Sequence, residues 1–93
     1  MITLFAHHGV TDYEKWKHAA DEMANSDMNA QMGIVDETIY RTADGSGVVL
    51  INTFRSLDEA QKFKAVMESP ETQAMIEQSG GQYPITIWIT EKA

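Results

Sequence analysis

Ninety-three residues, with fourteen acids against seven Lys and Arg, describe one small domain with a net charge of −7. A field of that sign repels phosphate backbones and anionic lipid, and no basic cluster interrupts it, so nucleic acid and membranes are poor partners. Cysteine is absent, which excludes a disulfide framework and a thiolate metal site, and a hydrophobic fraction of 43% is too high for a disordered chain.

In chain order, Ile2 to His8 reads as a strand, with Ile2, Leu4 and Ala6 alternating against Thr3, Phe5 and His7. Met1 to Ala6 lacks a basic flank, so no signal peptide is expected, and no apolar run is long enough to span a bilayer; a cytoplasmic protein is expected. Thr11-Asp12-Tyr13-Glu14 has the form of a capping box with Thr11 as the cap. The helix after it carries Tyr13, Trp16, Ala20 and Met23 on one face. Asn25 to Met32 either ends that helix or extends it with a break, and Gly33 marks the turn beyond. Ile34 to Thr42 reads as a strand, Ala43 to Gly47 as a hairpin loop, and Val48 to Phe54 as the partner strand.

Ser56-Leu57-Asp58-Glu59 is a second capping box, opening a helix with Leu57, Ala60, Phe63, Val66 and Met67 on one side. Ser69-Pro70-Glu71 starts a further short helix, which Gly80-Gly81 ends. Ile85, Ile87 and Ile89 then alternate with Thr86, Trp88 and Thr90 in a last strand. The order β-α-β-β-α-β, with a short extra helix, predicts an α+β ferredoxin-like domain over residues 1–93, its helices on one face of an antiparallel sheet.

Both helical stripes must cover the same face, which Ile85, Ile87 and Ile89 are expected to supply. Trp88, with Phe5, Leu50 and Phe54, is then expected on the uncovered face. Leaving such a surface in water costs about 25 cal/mol per Å² of apolar area, so a second copy packing sheet against sheet is expected to cover it and enclose a pocket between the sheets.

The stretch His8-Gly9-Val10-Thr11-Asp12-Tyr13-Glu14-Lys15-Trp16-Lys17 resembles the H-x-V-x-D-Y-x-x-W-K opening of small dimeric α+β barrel proteins, relatives of the antibiotic-biosynthesis monooxygenases and polyketide cyclases. The resemblance continues through Tyr40-Arg41-Thr42-Ala43-Asp44, Ser56-Leu57-Asp58-Glu59-Ala60 and Ser69-Pro70-Glu71 to Trp88. It departs at Gln78-Ser79-Gly80-Gly81-Gln82, where such proteins often carry a more apolar A-G-V-x-G-P segment. It implies a homodimer that binds a small hydrophobic, aromatic or polyketide-like molecule. It implies in turn a cofactor-independent monooxygenase or a cyclase/isomerase, the alternative being a non-catalytic ligand-binding or stress-response protein of the same fold. An open apolar pocket with one converging histidine favours the enzyme, a collapsed polar cavity the binding protein.

Within that frame His8 or His7 is the candidate general base. The two are adjacent in a strand and point to opposite faces; the resemblance favours His8, while parity alone leaves open which one faces the cavity. Each also has a packing explanation. Asn52, polar in an apolar strand, is a candidate to hold an oxyanion or to sit at an edge or dimer contact. Trp88, Tyr40, Trp16, Phe54 and Thr86 are candidate ligand-binding residues, Trp16 doubling as helix core. His18 reads as solvated helix surface. Six methionines suit an adaptable cavity, though four fall where helices need apolar contacts anyway. No metal or nucleotide site is expected, since no phosphate loop or nucleophile elbow is present. Haem binding, which the resemblance to related barrels also raises, is not expected, because the candidate histidine lies in the first strand and those relatives imply an axial ligand in the later helical region.

Overall fold

The computed structural model describes residues 1–93. Its elements run β1 (Ile2–Val10), α1 (Tyr13–Asn25), α2 (Met28–Gln31), β2 (Ile34–Arg41), β3 (Gly47–Phe54), α3 (Leu57–Met67), α4 (Pro70–Gln78) and β4 (Gly81–Glu91). The four strands pair antiparallel in the order β2-β3-β1-β4, and the helices lie on one face. This is the ferredoxin-like α+β arrangement that the element order predicts, with α2 settling the ambiguous stretch as one separate turn of helix.

Short side chains start the helices by accepting amide protons that have no partner within the helix. Ser56 Oγ accepts from the Glu59 amide at 3.2 Å, and Ser69 Oγ accepts from the Thr72 amide at 3.3 Å, with Pro70 in the first turn. The first helix departs from expectation by one residue. Asp12, not Thr11, caps α1, its carboxylate accepting from the Lys15 amide at 3.1 Å. Thr11 is taken by another contact: its amide and hydroxyl both donate to the Gly80 carbonyl, at 2.8 and 3.3 Å. Gly80 has φ +92°, and a Cβ there would stand 2.5 Å from the Asp12 carbonyl oxygen. Glycine at this point lets the end of α4 close against the start of α1.

Strand register decides what each face carries. β1 pairs with β3 so that Ile2, Leu4, Ala6 and His8 stand opposite Phe54, Asn52, Leu50 and Val48, and all of these face the helices. Leu50 and Phe54 are therefore on the covered face, contrary to expectation. Phe54 is fully buried with its ring 5.3 Å from that of Phe63 on α3, so it is core and not a ligand wall. Ile85, Ile87 and Ile89 pack on the same core as expected. The other face shows Phe5 directly opposite Trp88, flanked by Val49, Ile51 and Tyr40, and both Trp88 and Tyr40 are more than half exposed.

At His8 the β1–β4 ladder is broken. His7 pairs with Thr86 but Gly9 pairs with Gln82, so β4 carries two extra residues at this level, beside its Tyr83-Pro84 step. As an edge strand, β4 accommodates Pro84, which has no amide proton to give a neighbour.

Truncating Phe54 to alanine removes an enclosed ring from both the sheet and α3. The expected cost is about 3–5 kcal/mol, read as a lower urea midpoint with an unchanged slope.

Candidate functional site

The alternation of β1 separates the two histidines. His7 is exposed on the open face; His8 is buried beneath α1, its ring 5.3 Å from that of Trp16 at an interplanar angle of 70°, an edge-to-face contact. The parity left open by the sequence thus puts His8 on the helix side and His7 on the face where a second copy is expected.

The His8 imidazole is held in one tautomer. Its Nδ1 lies 2.8 Å from the Gly9 carbonyl oxygen, which can only accept, so Nδ1 carries the proton and Nε2 has a free lone pair. Burial pushes the ring below the 6.5 of a free imidazole; the hydrogen bond to Gly9 offsets part of this, and the neighbouring His7 adds to it. The side chain is accordingly a neutral imidazole near pH 7, in the form that accepts a proton.

His8 lines a cavity of about 240 Å³ between the sheet and the helices. An apolar cavity of about 150 Å³ already admits benzene, so this one has room for more than a single ring. Leu50 forms its floor, and Trp16, Ala19 and Ala20 of α1 and Phe63 of α3 form much of the roof. Met23, Met28, Met32, Met67 and Met75 complete it, so every methionine after Met1 lines this one space. Met28, Val66 and Met75 are about half exposed and mark its rim. The enclosed site therefore lies on the helix side of the sheet. It is distinct from the space that a second copy is expected to enclose against the open face. A second depression of about 380 Å³, lined by Glu68, Gln73 and Tyr83 to Ile85, is shallow and carries no histidine.

The remaining candidates are dispersed. Tyr40, Thr86 and Trp88 stand on the open face with His7, away from the cavity. Tyr40 points outward because its neighbour Arg41 points inward, its guanidinium 4.2 Å from the centre of the Tyr13 ring on α1. Asn52 is fully buried, does not line the cavity, and leaves both amide atoms without a partner. It pairs with Leu4, four residues before His8, and so lies about 13 Å along the sheet from it. That separation prevents the two side chains from meeting at one reacting atom. Trp16 is both core and cavity wall. His18 is surface, paired with Glu22 at 2.9 Å. No three His, Asp or Glu side chains converge as metal ligands do.

One functional candidate escaped the sequence reading. Glu37 lines the cavity, and burial raises its carboxyl above the usual 4.5, with Asn29 and Lys17 acting the other way and Asp21 adding to the rise. The available signal was its place in β2: Glu37, Ile39 and Arg41 alternate, and Ile39 belongs to the covered face.

The depressed His8 value ties stability to acidity. Because the unfolded chain binds a proton at His8 more readily, the contribution is present above pH 6.5 and is lost as pH falls through the lower folded value. His8→Gln is expected to flatten this part of the dependence of urea midpoint on pH between 7.5 and 5. In the parent protein, the His8 ring protons are expected to titrate by NMR with a midpoint below 6.5.

No protein-family model and no curated protein matches the sequence. The fold, however, is shared with solved structures. One is a monooxygenase from the gene ActVA-Orf6 of Streptomyces coelicolor, in complex with the ligand nanaomycin D; it aligns over 99% of this chain and 87% of its own, at 14% identity and a TM-score of 0.67. A second is SnoaB, a cofactor-independent oxygenase from Streptomyces nogalater, with 99% and 94% covered, 15% identity and a TM-score of 0.62. A third is a dimeric ferredoxin-like protein from an uncultured marine organism, with 99% and 96% covered, 8% identity and a TM-score of 0.59. The chain thus has the fold of antibiotic-biosynthesis monooxygenase-like and dimeric ferredoxin-like proteins.

Proposed function

We propose that this chain is a homodimeric enzyme that binds a small aromatic or polyketide-like molecule between its sheet and helices and removes a proton from it. The observation that carries the reading is His8: a neutral imidazole with Nδ1 committed to a carbonyl and Nε2 free, on the wall of an apolar cavity. An open apolar pocket with one converging histidine is the arrangement that favours catalysis over passive binding.

In this mechanism the aromatic ligand lies over Leu50 and against Trp16. His8 Nε2 takes a proton from a phenol or an activated C–H, and the Gly9 carbonyl stabilises the imidazolium so formed. The resulting carbanion reacts with dioxygen. One oxygen atom stays on the substrate carbon as a carbonyl, and the other leaves as water with the two hydrogens that the carbon loses. The oxygenases that share the fold support this choice over isomerisation. Asn52 is left out of the reacting centre by its distance from His8.

Dimerisation through the open face belongs to the same proposal. Phe5, Val49, Ile51 and Trp88 form an apolar band there, and His7, Tyr40 and Thr86 lie around it, suited to contacts with a second copy. A cytoplasmic setting also belongs to it.

Anthrone, a three-ring compound with an acidic methylene, is a suitable probe, and its oxidation to anthraquinone consumes one dioxygen and releases one water. The protein at pH 7 is expected to accelerate oxygen uptake above the buffer rate. His8→Gln is expected to lower the catalysed rate at least 100-fold, in keeping with loss of a general base, while anthrone affinity changes little. Binding with no acceleration would move the chain to the binding-protein reading. Native mass spectrometry is expected to give a dimer for the parent and a monomer for Trp88→Glu; a monomeric parent would overturn the dimer.

A further inference from the structure

Glu37 is the one carboxyl group on the wall of the cavity, and it takes part in no ion pair. Putting an acid there carries a desolvation penalty that the fold does not require, since a leucine in the same place would extend the apolar wall. Register places Glu37 directly opposite Asn52. Residues so paired have Cβ atoms only about 5 Å apart, and the Asn52 amide is fully buried with neither its nitrogen nor its oxygen satisfied. Glu37, with the Asn29 amide beside it on the wall and Asn52 behind it in β3, thus makes one end of the cavity polar, while the rest is largely aliphatic, aromatic or thioether. His8 belongs to the other end. Its partner on β3 is Val48, four residues from Asn52, and β3 separates β1 from β2. Four residues of strand rise and two strand spacings set the His8 and Glu37 backbones roughly 16 Å apart, with Leu50 between them.

We infer that the Glu37 end of the cavity is a second polar subsite, which accepts a hydrogen bond from a hydroxyl or amino group at the far end of an elongated ligand whose near end meets His8. The inference rests on the cavity being a ligand site. It narrows the ligand to a flat molecule about three fused rings long with a donor at each end. A carboxyl oxygen accepts from such a donor whether or not the group is ionised, while an apolar side chain offers nothing in its place. Asn52 backs the subsite from the neighbouring strand.

The test compares 2-hydroxyanthraquinone, which has one terminal donor, with 2,6-dihydroxyanthraquinone, which has one at each end. Binding is measured by equilibrium dialysis at pH 7. The parent protein is expected to bind the dihydroxy compound at least tenfold more tightly. Glu37→Leu is expected to erase that preference by weakening the dihydroxy compound alone, its unchanged affinity for the monohydroxy compound serving as the check on folding. Glu37→Gln, which keeps an amide oxygen as acceptor, is expected to retain part of the preference. Equal binding of the two compounds by the parent, or a preference that survives in Glu37→Leu, would overturn the subsite and leave the cavity reading standing. Failure of the parent to bind either compound would overturn both.

Discussion

Consecutive side chains in a strand point to opposite faces, and in β1 that constraint decides which histidine reaches the cavity. His8 is carried under the helices, where burial favours its neutral ring; His7, one residue earlier, is carried to the open surface. Leu4 and Ala6 bring the same strand onto the core, and their partners Asn52 and Leu50 extend that covered face across β3. A slip of one residue would exchange the two histidines and turn Leu4 and Ala6 out to solvent. The register is therefore secured by core packing, and the placement of His8 inherits that security.

Interruption of the ladder at His8 is the second structural element of the site. With two extra residues in β4, the β1–β4 pairing gives way at the level where the imidazole must be positioned. The ring is held instead by its own strand, through the following carbonyl, and by the Trp16 edge from above. Irregularities of this kind re-aim a side chain at the cost of local pairing, and they recur beside reactive groups.

Much of the architecture was legible from short-range signals. Serine caps at Ser56 and Ser69, the helical stripe through Trp16, and the isoleucine alternation in β4 each act within one element, and each appears where the sequence points. The failures came where the answer depends on a distant residue. Thr11 was drawn from capping by Gly80, sixty-nine positions away. Val48 to Phe54 is apolar at nearly every position, so alternation alone cannot say which face Leu50 and Phe54 take; only pairing with β1 decides it. The cavity is a space between elements and has no local signature. The methionines hinted at it, being unbranched side chains suited to an irregular void, but their convergence is a property of the packed helices.

The position of the cavity has a consequence for any assembly built on the open face. Sheet and core stand between that face and His8, and the side chains that line the cavity lie on the helix side of the sheet. Under the proposed function each polypeptide then carries its own reacting group, however many are joined. In a mixed population, subunits with a damaged His8 would neither poison nor be rescued by intact neighbours, and output would fall in simple proportion to gene dosage. Selection is thereby left free to alter the pairing surface and the ligand site on separate schedules.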